Sequence, residues 1–463
     1  MANKNLLTYA AKVSSVEQTA YAPFSLIGGT DGVPISTIYA FLAKVDPWAD
    51  ENDPDTPTQD QATLKKIFKN IFVAKQVHAN DISPVVERRD WTSGTVYDYY
   101  RDDVNMFEQA SASGKQVLKY YVKNRYDQVF KCLWNNNDVP STVEPYFEPG
   151  SYGTNNLYLS PSLDNDGDGY KWKYMYTINT GEKVKFMDRN WMPVVIGADY
   201  TGPFTAAGAG SIDVINVVDG GSGYDPVMAD VNVVITGDGS GATATATVVD
   251  GVITEIIVTN PGTNYSYVSV TIESTVGSGA VLLAPTSPIG GHGFDPVAEF
   301  GCHHVMFTAE FAQDEGGIIP TDIDFHQIGL LTSPSEKTIN DGVQPAYADI
   351  YKTTTDLVAA PGFGAYTNDE VVYQGASLET ASFVGTVLSF DEASNVIRVL
   401  NTTGTLTTNA PVFGDTSKTT RTLLSYSLPT FITYSGYMSF IENRTGIQRS
   451  ADGIEQIKIV LGY

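Results

Sequence analysis

Residues 164–170 read DNDGDGY. Alternating aspartates that end in glycine open a calcium loop, in which side-chain oxygens ligate the ion and the glycine makes the sharp turn. Asp164, Asp166, Asp168 and Gly169 fit that first half. The bidentate glutamate that should close the loop falls on Met175, and no helix pattern follows. Instead Tyr170, Trp172, Tyr174 and Tyr176 alternate with Lys171, Lys173, Met175 and Thr177, the period of a strand with one aromatic face. The expectation is a turn that launches a strand, with no metal held by Asp164, Asp166 or Asp168.

Other residues able to do chemistry are scattered. His303 and His304 are adjacent, so on a strand they would point to opposite faces, and His78, His292 and His326 have no H-x-H or HExxH spacing. Neither Ser222 nor Ser240 has the two glycines of a nucleophile elbow. The stretch GDGSGATATATVV (237–249) contains G-x-G-x-x-A, but Ala/Thr/Val alternation follows it rather than a helix whose N-terminus could hold a phosphate. Carboxylates abound, yet PYFEPG and DFHQIG do not make a glycosidase dyad without geometry. No catalytic, cofactor-binding or metal-ligating residue is expected, and the chain does not read as an enzyme.

The elements that carry these residues are mostly strands. TQDQATLKKIFKNIFVAKQV (58–77) is the one clear helix, with Thr58 and Gln61 as a capping box and Leu64, Ile67, Phe68, Ile71 and Phe72 on one apolar face. The acidic, Pro-broken DPWADENDPDTP before it suits an exposed loop. QVLKYYVKNRYDQVFKCLW reads as a hairpin turning at KNRYD. Residues 205–290 are rich in Ala, Gly, Val and Thr and contain a repeat: INVVDGGSGY (215–224) matches IIVTNPGTNY (256–265), and each copy leads to a second strand and a GSGA turn. Two copies of one hairpin unit are expected to pack together, because a lone hairpin cannot bury its apolar face. A second segment, 361–425, has short strands at the spacing of a small barrel or sandwich.

Composition sets the class. The chain has 463 residues, 42% hydrophobic and 17% charged, with 27 Tyr, 20 Phe and 42 Gly in short apolar runs; aromatic and β-branched residues suit pleated, half-buried surfaces. The formal net charge of -25, without any Lys/Arg-rich run, argues against nucleic acid as a partner. Cys132 and Cys302 are too few for a disulfide framework and fit buried thiols in a reducing compartment. No basic start followed by an apolar stretch opens the sequence, and no apolar run is long enough to span a bilayer, so no membrane partner is expected. The protein is expected to be made in a cytosol and to leave it by assembly or lysis.

Several strings, taken in order, resemble a baseplate wedge subunit of contractile-tailed bacteriophages, the gene-eight product family of myoviruses. They are TIYAFLAKVDPW (37–48), VVERRDW (85–91), VFKCLWNN (129–136), DGYKWKYMYTI (168–178), FHQIGLLTSP (325–334) and SGYMSFIENRTGIQRSADGIEQIKIVLGY at the end, with GGHGFDPVAEFG (290–301) similar to a segment of the larger versions. The resemblance implies a mainly β subunit: a layered β-sandwich core with short helices, built from 1–204, 291–360 and 426–463. The segments 205–290 and 361–425 are two inserted small β modules that the shorter family version lacks. It also implies a homodimer that bonds to other wedge proteins in the virion tail baseplate after assembly in the bacterial host cytoplasm, without catalysis or cofactor. Trp91, Trp134, Trp172 and Trp191 are candidates for interface burial, with the core favoured for each. The rival readings are a receptor- or glycan-binding decoration protein that uses the Tyr- and Gly-rich 205–290 module, and, below it, a tail hydrolase.

Overall fold

The computed structural model describes residues 9–21, 37–107, 109–111, 114–116, 118–148, 157–159, 167–195, 210–225 and 231–463. The protein is mainly β, with several sheets and short helices. Two compact units divide the chain, one of 1–18, 83–306 and 460–463, the other of 19–82 and 307–459. The repeat-bearing segment lies in the first unit and the 361–425 segment in the second.

In the second unit an antiparallel sheet runs in the order Ile350–Lys352, Ile71–Val77, Ile38–Ala43, Asp324–Thr332, Tyr437–Gln448. IYAFLA is apolar at every position because its strand is central, with all but Ile38 fully buried. The helix Gln61–Asn70 sets Ile67 and Phe68 against Tyr39, Phe41, Ala74 and Leu331. This helix is shorter than its periodicity suggests. It ends at Asn70, and Ile71–Val77 is a strand paired along Ile38–Ala43. The Ile-Phe-Val run, β-branched at Ile71 and Val73 and aromatic at Phe72, forms ladder bonds and buries its side chains better in the sheet than on a helix face. The cap also differs: Asp60, not Thr58, accepts the Ala62 and Thr63 N–H groups, and Thr58 donates to Asp60 instead.

The same unit carries a closed barrel in the order Thr355–Ala359, Val396–Gly404, Phe383–Asp391, Val371–Gln374, Pro411–Gly414, Thr420–Ser427. Closure comes from the first strand, which pairs with both Val396–Gly404 and Thr420–Ser427. Inward positions such as Leu357, Val372, Val387, Val399 and Leu423 fill its core. Closing a sheet on itself removes its free edges. The edge strand Tyr437–Gln448 is treated differently: two register shifts interrupt its ladder, and bulges of this kind twist an edge away from further pairing.

In the first unit the expected hairpin forms, with Tyr121–Lys123 against Gln128–Trp134, and Lys171–Thr177 lies beyond it. Phe130, Cys132, Tyr170 and Trp172 meet Tyr97 and Val122 in one core. The duplicated segment differs from two self-contained hairpins. Asn216–Ser222 pairs with Ser278–Leu283 and Asn232–Gly237 with Val268–Glu273, so these ladders join one copy to the other. Thr243–Val249 and Val252–Asn260 complete the set. The equivalent residues Ile215 and Ile256 form an antiparallel bridge with each other, which puts a local two-fold axis between them. Tyr224 N–H donates to Gly251 O and Tyr265 N–H to Gly210 O, both at 3.1 Å. Ile212, Ile215, Ile253, Ile256, Tyr224 and Tyr265 fill the shared core. Interlocking buries apolar faces that neither copy could cover alone.

Candidate functional sites

The only aspartate of the DNDGDG run within the described residues is Asp168; Asp164 and Asp166 lie outside them. Its carboxylate is fully buried. One oxygen accepts from Ser141 Oγ and from the Thr142 and Val143 N–H groups, and the other accepts from Tyr170 N–H. A carboxylate so engaged ties the 141–143 loop to the start of the aromatic strand. Gly169 has φ of +70°, and a Cβ there would meet the Asn136 side chain at 2.6 Å. The glycine therefore serves the corner itself. Among the described residues no group of three or more His, Cys, Asp or Glu side chains is placed to hold a metal ion.

GGHGFDPVAEFG supplies half of a buried ionic centre. Lys131 Nζ lies 2.7 Å from Glu299 Oε2 and 3.0 Å from His292 Nδ1, with the Tyr100 ring centroid 4.0 Å away. Glu299 Oε1 accepts from Gly293 N–H at 2.6 Å. Burial alone would raise the Glu299 pKa, but the Lys131 charge and the His292 and Lys131 hydrogen bonds outweigh it and bring it down to about 2. Burial, then Lys131, lowers the pKa of His292, whose Nδ1 faces both the ammonium and Glu299 Oε2. Beside this centre Lys173 lies 3.6 Å from Asp213, whose other oxygen accepts from Ser211. Spacing could not reveal this centre, because its members come from a strand, a glycine-rich loop and the short helix Pro296–Glu299.

His303 and His304 do not point apart as adjacent strand residues would. The strand His304–Ala312 starts after His303, and the two ring centroids are 4.2 Å apart. They border a cleft of about 610 Å³ whose wall also holds Arg88, Arg89, Arg189 and Trp191. Arg88 chelates Asp90 and donates to Asp188 O. Arg89 pairs with Glu87 at 2.8 Å and lies 4.7 Å above the Tyr121 ring. His304, half-buried against Trp191 with ring centroids 4.4 Å apart, has its pKa pushed down to about 4 by burial and by the nearby His303 and Lys12. Of the four tryptophans singled out, Trp134 and Trp172 are core residues, while Trp91 and Trp191 are partly exposed. Cys132 and Cys302 are both buried free thiols.

The surface of the second unit holds a feature that no sequence motif marks. From Thr422 to Ile441 there is no charged residue. Leu424, Tyr426, Leu428, Tyr434 and Tyr437 of this run are exposed, Tyr437 by 78%. The hairpin Ser335–Lys337 and Val343–Pro345 lies against it through Lys337 N–H to Thr430 O and Ile432 N–H to Ser335 O, and adds exposed Ile339 and Val343. A count of charge spacing would have found the run in the sequence; its exposure could not be read there. No protein-family model matches the chain, and no curated protein matches it.

Proposed function

We propose that the chain is a structural subunit of a contractile-tail baseplate wedge that acts by assembling with other wedge proteins and with itself. One observation carries this reading: the exposed, uncharged surface from Thr422 to Ile441 with the neighbouring hairpin. In a chain of formal charge -25, such a surface is where another protein can approach with few ionic groups to desolvate, exposed Lys337 and Asp341 of the hairpin among them. A second line of support is that the resemblance strings lie on strands and their corners, including Ile38–Ala43, Gln128–Trp134, Lys171–Thr177, Asp324–Thr332 and the C-terminal pair Tyr437–Gln448 and Ile454–Gly462. Their polar side chains, Asp168, Lys131, Glu299 and Arg449 among them, are consumed by internal bonds, which suits a scaffold.

The test is the protein content of contractile tails purified from cells that carry the gene. The chain should appear by mass spectrometry at fixed stoichiometry with wedge proteins, and Leu428→Asp with Tyr437→Asp should abolish incorporation while the purified variant keeps its circular dichroism spectrum. Tails of full composition that lack the chain would refute the proposal.

A further inference from the structure

We infer that the Arg88–Arg89–Arg189 cleft is a binding site for a carboxylate carried on a flat apolar body. This deepens the assembly reading and rests on it: in an assembled particle the group would be an acidic residue beside an aromatic one in a neighbouring chain. Three arginines share this one cleft in a protein whose 53 acidic residues far outnumber its 28 Lys and Arg. The donors are held in place before any ligand arrives. Arg88 is locked by Asp90 and Asp188, and Arg89 by Glu87, the Leu118 carbonyl and the Tyr121 ring; their forks are engaged inside the protein, so they fix the cleft wall and offer a carboxylate only their remaining N–H groups. Arg189 is exposed and makes no ion pair with a described residue.

Charge decides the class of anion. Glu87 pairs with Arg89, and Asp90 with Arg88 and with Lys123 at 3.3 Å, which leaves Arg189 as the guanidinium of the cleft without an ion pair among the described residues. A monoanionic carboxylate balances it, whereas a phosphate dianion would leave a negative charge beside Glu87. Shape decides the rest. Trp191, Phe107, Phe300 and Tyr121 line the cleft with rings, and about 610 Å³ lies within the range that takes a small ligand or a few side chains. The Phe107 ring can sit flat on the backbone at Gly301 because that residue has no Cβ; one built there would meet the ring at 2.3 Å.

Titration of the full chain with phenylacetate, with acetyl-Phe-Glu-amide and with benzyl alcohol tests the assignment, read by tryptophan fluorescence and by the His304 ring proton in NMR. Phenylacetate should bind saturably and shift the His304 resonance. Arg189→Gln should weaken it about tenfold, Trp191→Phe should remove the fluorescence change, and benzyl alcohol should not compete. Tighter binding of the peptide than of phenylacetate assigns the site to a protein segment, and the reverse assigns it to a free acid; either supports the carboxylate. No saturable change with either acid, or equal binding of benzyl alcohol, overturns it. Because the chain is used alone, a failure here is distinct from absence of the chain in purified tails.

Discussion

Single side chains carry most of the pH dependence to be expected. Glu299 is ionised in the fold well below the usual carboxylate range, so the unfolded chain takes up its proton first on acidification. Its contribution is present above its ordinary value of 4.5 and is lost as pH falls towards about 2. Glu299→Gln leaves the buried Lys131 without its counter-charge and should cost about 3–5 kcal/mol at neutral pH, with a flatter acid limb in urea midpoints measured against pH. His304 acts in the same direction over a higher window. The unfolded imidazole protonates near 6.5 while the folded one resists until about 4, so stability should fall as pH drops through that interval. His304→Phe should remove this part of the slope; an unchanged profile would place the loss elsewhere. Neither effect was legible in the sequence, where the histidines and Glu299 are unrelated in position.

Elements are tied together by a few polar contacts whose loss can be measured. In the duplicated module the Tyr224 hydroxyl accepts Ala280 N–H and the Tyr265 hydroxyl accepts Ala242 N–H. Tyr224→Phe and Tyr265→Phe should each cost about 1 kcal/mol, and by similar amounts. Gly277→Ala and Gly239→Ala should cost more than either, because the new Cβ would fall 2.2 Å from the Tyr224 ring and 2.4 Å from the Tyr265 ring. Unequal effects in chemical denaturation would mean that the two copies do not share one axis. The corner between Tyr437–Gln448 and Ile454–Gly462 depends on Arg449, fully buried, which donates to Glu455, to Pro320 O and to Gln313 O. Arg449→Met strands those acceptors and should lower stability by about 3–5 kcal/mol in urea unfolding. At this scale the sequence was readable where a pattern is local, as in the hairpin around KNRYD. It misled at Ile71–Val77, where helical periodicity runs on into residues that a neighbouring strand claims.

The molecule as a whole is assembled from parts of different kinds. The barrel is closed, has its own core, and brings its ends together where Asp356 pairs with Ser427. A segment spanning 353–429 should therefore fold alone and unfold in one cooperative transition by circular dichroism; a chain that stays unstructured would show that the barrel depends on its host. The uncharged Thr422–Ile441 run starts within the barrel's last strand and continues to the edge strand of the five-stranded sheet.

Composition and period alone determined the β class, the repeat, the acidic character and the turn role of Asp168's neighbourhood, because strands and turns are written in residues close together in the chain. Tertiary structure alone decided that the copies interlock, that Lys131 meets Glu299 and His292, and that three arginines open onto one cleft. These depend on which apolar faces cover one another, and burial joins residues with no spacing in common.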